Sequence, residues 1–347
     1  MMFDFFVTTF IKMAITLGIP LSVIPIIIHI ERRGAAFIQK RVGPNRVGPF
    51  GLLQPLADVV KFIFKEEVCP EHVRPFFYNL APVLALFVSL VPLAVLPICA
   101  PIEINGEKIY SEIFNSNLGV FFVFGATALG SFAILIAGWA SNNKFSMLGA
   151  IRAAAQMISY ELSMGLSTVA MLLTYNTHKI HRIINLQNDF MYSFIPRYGV
   201  FIQPIAALIF LVGIFAESNR LPFDLAEGES ELVAGYHVEY SSMKFALFFM
   251  AEYLHMIVLS ALFVIIFLGG YNLLPLFGIL AAKFPVILPL LQFISMFVKV
   301  AFLIWFFVWV RWSLPRFRYD HLMRLGWKLL LPLGIINLIF TVIAVSV

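Results

Sequence analysis

Stretches of about 20 apolar residues, divided by short polar connections, recur along the whole chain. That is the length a helix needs to cross a hydrocarbon layer of about 30 Å. Eight are read: Phe5–Ile30, Phe76–Cys99, Leu118–Ala140, Ile151–Thr174, Gly199–Ala216, Phe245–Leu268, Phe284–Val310 and Leu329–Val347. The second and third carry no charge, whereas the fourth contains Glu161 and the sixth Glu252, so these two rest on length and flanks. In lipid the backbone must satisfy its own polar groups. The pattern therefore predicts an all-α integral membrane protein, residues 1–347 forming one polytopic domain with about eight transmembrane helices. No internal repeat of the transporter kind is visible, which speaks against a rocking carrier.

The first connection, 31–75, is too long for an idle linker. Two Gly-Pro pairs, Gly43-Pro44 and Gly48-Pro49, forbid a helix there and impose a turned backbone. From about Phe50 to Lys65 the pattern changes: Gln54, Asp58, Lys61 and Lys65 recur at spacings of 4, 3 and 4 among leucines, valines and phenylalanines. This predicts an amphipathic helix lying on the membrane surface.

Composition strengthens the membrane assignment. Apolar residues make up 61% of 347 and charged residues 12%, and mean hydropathy is +0.92. Disorder, coiled coil, disulfide scaffold and nucleic-acid binding are excluded, because a soluble core could not hide this much apolar surface. The net charge of +5 matters less than its placement. If odd-numbered helices end on the inner side, the inner connections hold 17 Lys and Arg and the outer ones 5. The positive-inside rule then puts both termini outside. Asp4 precedes the first apolar run and no small-residue cleavage site follows, so no signal peptide is expected. Cys69 and Cys99 flank one long apolar segment, beyond disulfide reach, and are read as structural.

Charge also picks out candidate chemistry. The connection 217–244 opens with Glu217, Asp224, Glu227, Glu229 and Glu231 against one cation, Arg220. A solvated loop or a docking face for a basic partner would explain the acids of the loop. Glu217 and Glu252 fit that explanation poorly, since each lies at or inside an apolar run, where a carboxylate is costly and functional by default. Asp224, Glu227 and Glu231, at spacings of 3 and 4, would share a face if helical. Crowded, poorly hydrated carboxylates cannot all stay ionised, so such a cluster takes and gives protons near neutral pH. Glu161 falls under the same rule, with Gln156, Ser159 and Tyr160 as possible hydrogen-bond partners. Lys12 and His29 are read as interfacial, Lys299 as deeper, and His255 as a hydrogen-bonded core residue. No haem-spaced histidine pair, CxxC, phosphate-binding Gly-rich loop or HExxH is present, so any redox groups are expected on partners.

Two long motifs carry a resemblance. One is Glu31-Arg32-Arg33 with Gln39-Lys40-Arg41-Val42-Gly43-Pro44-Asn45-Arg46 continuing to Asp58; the other is Ala216-Glu217-Ser218-Asn219-Arg220-Leu221-Pro222-Phe223-Asp224-Leu225, continuing through Glu231 to Ala246. With the Gln156–Glu161 stretch, they resemble the family of H subunits of NADH–quinone oxidoreductase, respiratory complex I of the bacterial type. The resemblance implies eight helices in the heel of the membrane arm, in the bacterial inner membrane. It implies a chamber through which ubiquinone or menaquinone reaches an iron–sulfur cluster on a partner, with the inner connections 31–75 and 217–244 forming the quinone-side surface that docks the peripheral arm. FMN and the Fe–S clusters would sit on partner subunits, none on this chain, alongside neighbouring membrane-arm subunits. Glu217, Asp224, Glu227, Glu231, Glu161 and Glu252 would couple protons to quinone reduction, while Arg32, Arg33, Gln39, Arg41, Arg46, Asp58 and Arg220 would line the chamber or dock the arm. The arginines offset headgroup charge in one reading and anchor phospholipid in the other. Two rival functions remain open: the homologous membrane subunit of an energy-converting hydrogenase, and an autonomous proton or ion carrier.

Overall fold

In the computed structural model, the described residues are 2–104, 107–192, 195–226, 228–274, 277 and 284–346. The chain is a helical bundle: α1 (Met2–Ile38), α2 (Gln54–Phe64), α3 (Pro75–Ala94, closing in a 3-10 turn), α4 (Gly119–Ala140), α5 (Lys144–Tyr175) and α6 (Ile180–Leu186). There follow α7 (Gly199–Ile202), α8 (Pro204–Glu217), α9 (Glu229–Leu232), α10 (Ser242–Phe267), α11 (Leu288–Ser313) and α12 (Tyr319–Ser346, with a π-helical turn at Leu325–Leu330). Seven of the described helices are long and apolar enough to cross a membrane. Two small antiparallel hairpins, Ile102–Ile104 with Glu107–Ile109 and Phe190–Tyr192 with Ile195–Pro196, are the described strands; both lie at the end of the bundle opposite the 31–75 connection.

The fifth apolar run departs from the rest. It is broken at Gln203, because Pro204 has no amide proton to continue the ladder and starts a new helix instead. The remaining 14 residues of α8 span about 21 Å at 1.5 Å per residue. Gln203 holds the break together: its Nε2 donates to Thr174 Oγ1 at 2.7 Å and Thr341 Oγ1 at 2.9 Å, and its Oε1 accepts from Asn337 at 2.9 Å.

At the 31–75 end, several helices run past the boundaries hydrophobicity predicts. The first continues from Ile30 to Ile38, the fourth begins at Lys144 rather than Ile151, the sixth at Ser242, and the last at Tyr319 rather than Leu329. The added turns carry Glu31, Arg32, Arg33, Lys144, Lys244 and Arg324. Hydrophobicity marks the apolar thickness, whereas a helix ends at its cap, and charged residues are tolerated in the turns that enter the polar zone. Asn143 supplies one such cap: its side chain accepts from the Phe145 amide at 3.0 Å.

The core sits around α10, which is buried along most of its length and packs against α1, α3, α8 and α11. A second axis is α5, against α4, α8 and α12. Close approach there depends on Gly213 of α8, where an added Cβ would fall 2.1 Å from Met164 Cγ of α5. That contact sets the height of Glu217, one turn further on.

The amphipathic helix forms as α2. The side that carries Gln54, Asp58 and Phe62 faces the protein, while Lys61 and Lys65 are exposed: Arg32 pairs with Asp58 at 2.5 Å, and Ser242 donates to the Phe62 carbonyl at 2.8 Å. Leu56, Val60 and Phe64 are exposed on the isolated chain, so the stripe faces lipid or a partner. The Gly-Pro stretch before it is non-helical until a 3-10 turn at Pro49–Gly51. Gly51, at φ +77°, packs so tightly on Pro44 that a Cβ would meet its carbonyl oxygen at 2.2 Å.

Candidate functional site

The 217–244 connection is folded into the bundle instead of standing in solvent. Glu217, Ser218, Asn219, Arg220, Phe223, Asp224 and Leu225 are all buried. Gln156 of α5 pins it, its amide donating to the carbonyls of Ala216 at 2.7 Å and Phe223 at 2.6 Å. Gln156 is thus spent on the loop and not on Glu161. Ser159 and Tyr160 are likewise committed elsewhere, to the carbonyls of Ala155 and Leu322.

Pinning the loop aims Arg220 between two carboxylates. Its guanidinium stands 3.7 Å from Glu31 Oε1 and 3.8 Å from Glu252 Oε2, and stacks 4.2 Å over the Tyr253 ring. Glu31 also receives the Tyr253 hydroxyl at 2.6 Å and an ion pair from Arg311, in the last turn of α11. Glu252 accepts from Tyr236 at 3.3 Å. The result is an alternating string, Arg311–Glu31–Arg220–Glu252, drawn from α11, α1, the loop and α10. It also explains why α1 continues through Glu31: two cations offset the buried acid, so its charge does not end the helix.

Glu217 occupies a different setting. It is 1% exposed, neither oxygen has a hydrogen-bond donor among the described residues, and His255 Nε2 approaches to 3.8 Å. His255 lies three residues after Glu252 on the same face of α10, and all three groups line a cavity of about 50 Å³ together with Tyr236, Ser89 and Met157. At roughly 10–15 Å³ per water, such a space has room for about three to five. Glu161, by contrast, lines a separate apolar cleft of about 520 Å³ between α4, α5 and α12.

The remaining candidates are dispersed. Asp224 and Glu231 do not share a helical face, because the chain turns at Leu225–Ala226 and α9 begins only at Glu229. Asp224 pairs with Arg316 and Glu231 with Arg152, each at 2.6 Å. Glu227 lies outside the described residues. Arg41 donates to Gln39 at 2.7 Å, and Arg46 is exposed. Arg33 and Arg41 line a cavity of about 940 Å³, with His29, Phe50, Trp305 and Trp309 on its otherwise largely apolar wall.

Sequence reasoning does not reach Glu31, Arg311, Tyr236 and Tyr253 as site residues, and it assigns His255 to ordinary core. The rule that singles out Glu217, an acid at the edge of an apolar run, applies equally to Glu31. Nothing local marks Arg311, which meets Glu31 across 280 positions. Among the described residues no three His, Cys, Asp or Glu side chains converge as metal ligands.

Comparison with known proteins gives a consistent result. The family profile described as NADH dehydrogenase matches residues 11–342. The chain is 41% identical to the NADH-quinone oxidoreductase H subunit of Bdellovibrio bacteriovorus, over 97% of this chain and 96% of that one. It is 45% identical to the H subunit numbered 1 of Cytophaga hutchinsonii (90% and 89% covered) and 43% identical to NADH-quinone oxidoreductase subunit 8 of Rhodothermus marinus (92% of each).

Proposed function

Since this chain belongs to the NADH dehydrogenase family, among the H subunits of NADH–quinone oxidoreductases, we propose that it forms the quinone-access chamber of that complex and passes the charge of quinone reduction to buried carboxylates. It works as a multi-pass membrane subunit of an oxidoreductase, with other complex I subunits as partners. The electrons come from partners. This chain's part is to admit the quinone, hold its headgroup and respond electrostatically. The relatives' names favour the quinone enzyme over a hydrogenase subunit or a lone carrier.

The cavity between α1, the Gly-Pro loop and α11 supports the first part. Its volume of about 940 Å³ lies in the range of ligand sites, roughly 300–1,000 Å³, and its make-up of apolar wall with few polar groups suits an isoprenoid tail and a weakly polar head. Arg33 and Arg41 offer positive charge where a reduced headgroup would carry negative charge.

The observation that carries the coupling is the shared position of Arg220. It stands 3.7 Å from one acid and 3.8 Å from the other, at ion-pair rather than hydrogen-bond distance from both, so a small displacement hands its charge to one at the other's expense. Movement away from Glu252 leaves that acid more basic, and its cavity neighbours Glu217 and His255 are within reach of a short water chain. A proton can then be taken up or passed on beside Glu217 without any redox centre on this chain. The bacterial inner membrane, both termini outward and the 31–75 and 217–244 connections toward the peripheral arm, complete the proposal.

Glu217→Gln tests it. The variant keeps the shape of the side chain but cannot titrate. Assembled complex is expected to lose most quinone-linked NADH oxidation and proton uptake, while electron transfer to an artificial acceptor on the peripheral arm continues. Full quinone-linked activity in the assembled variant would remove Glu217 from the mechanism.

A further inference from the structure

At the opposite end of the bundle lies a second polar site that the coupling mechanism does not use. There α3 ends, α4 begins and the short helix α6 crosses between them, held by Ile180, Ile183 and Ile184 inserted into the core. These elements enclose a pocket of about 300 Å³. Lys179 and Arg182 line it, and neither has an ion pair among the described residues. Ser116 and Asn117 add hydroxyl and amide donors to the same wall.

One acid, Glu112, also lies on the wall. It is 3% exposed and bound to His181 Nε2 at 2.8 Å, while His181 Nδ1 meets the Tyr271 hydroxyl at 3.0 Å. A carboxylate only accepts, so Nε2 carries a proton, and a neutral ring accepts from Tyr271 at its other nitrogen. Glu112 is thereby engaged from within, and two cations outweigh it at the mouth.

The charge is also out of place by the topology count. This end holds only 5 of the Lys and Arg in the connections against 17 at the other, yet two of the five converge on one pocket. The pocket lies between the end of α3 and the start of α4, and where membrane-crossing helices end is where phospholipid phosphates are met. We propose that this pocket binds a phosphate group, held by Lys179 and Arg182 with Ser116 and Asn117 as donors. A phospholipid headgroup and inorganic phosphate share that chemistry.

The test uses the intact complex purified from native membranes and stripped of lipid. Phosphatidylglycerol is titrated in phosphatidylcholine nanodiscs in one arm, and inorganic phosphate against the detergent-solubilised complex in the other, with binding read by native mass spectrometry and phosphorus-31 line width. The Lys179→Gln/Arg182→Gln variant is expected to bind about fivefold more weakly for each charge removed, from roughly 1 kcal/mol per cation near a lipid surface. The charge-keeping Lys179→Arg/Arg182→Lys variant should bind as wild type. Selective loss of phosphatidylglycerol identifies the headgroup as the source; loss confined to inorganic phosphate supports the site with a soluble anion. Should the glutamine variant fail to assemble, Asn117→Asp decides, since it adds a negative charge at an exposed position without removing a cation. Unchanged binding of both probes in either charge-altered variant, or no saturable binding by wild type, overturns the proposal.

Discussion

Glu31 shows how much one residue can organise. It takes an ion pair from Arg311, a second from Arg220 and the hydroxyl of Tyr253. Removing one partner of a buried ionic cluster leaves the others uncompensated, typically at about 3–5 kcal/mol. Glu31→Gln is therefore expected to lower the thermal stability or yield of the complex sharply, whereas Glu66→Gln, at an exposed position, should stay within about 0.5 kcal/mol. Thermal denaturation of the two purified complexes makes the comparison, and equal stability would show that the cluster is not a structural unit. Glu217 and Glu252 are legible in the sequence because an acid in an apolar run is conspicuous. Glu31 is masked by the Arg-rich motif it opens, and Arg311 by the distance in sequence to its partner. Asp224 and Glu231 share a helical spacing that the turn at Leu225–Ala226 destroys.

For whole elements, hydrophobicity locates the membrane segments but not their ends, since capping and ion pairing extend the helices at the charged end of the bundle. It also does not reveal that Pro204 divides the fifth segment into a four-residue helix and α8. The surface helix is legible from its period, yet which face meets the protein is not. Phe62 rests near Phe245, with ring centroids 6.1 Å apart, while Phe64 is 84% exposed. The two positions should therefore respond differently to aspartate. Phe62→Asp puts a charge against α10 and is expected to reduce the amount of assembled complex. Phe64→Asp should leave assembly intact and raise the KM for long-tailed quinones more than for short-tailed ones, because it alters only the outward face of the helix that directly follows Phe50 and Leu52 of the cavity wall. Steady-state kinetics with quinones of two tail lengths separates these effects. A Phe64→Asp complex with unchanged KM for both would detach α2 from quinone access.

Across the whole molecule, the two ends of the bundle divide the labour. One end gathers the Gly-Pro loop, the surface helix, the cavity with Arg33 and Arg41, and the alternating string that begins at Arg311. The other carries the two hairpins and the Lys179–Arg182 pocket. The basic residues divide the same way, 17 in the connections of the first end and 5 in those of the second, and the proposal follows the positive-inside rule in sending the first end to the inner side. On the proposed count of eight crossings, the seven long helices among the described residues and the broken fifth, both termini return to the outer side. Reporter fusions after Lys65 and Glu229 should then read inside, and fusions after Asn115 and Asn188 outside. Lys65 is the most informative site, for it follows α2 directly and lies at the end that holds the proposed coupling residues. An outside reading there would turn the molecule over, placing Glu217 and its cavity away from any arm that receives electrons from NADH on the inner face. The coupling proposal would then fall with the topology, even if Glu217→Gln were inactive.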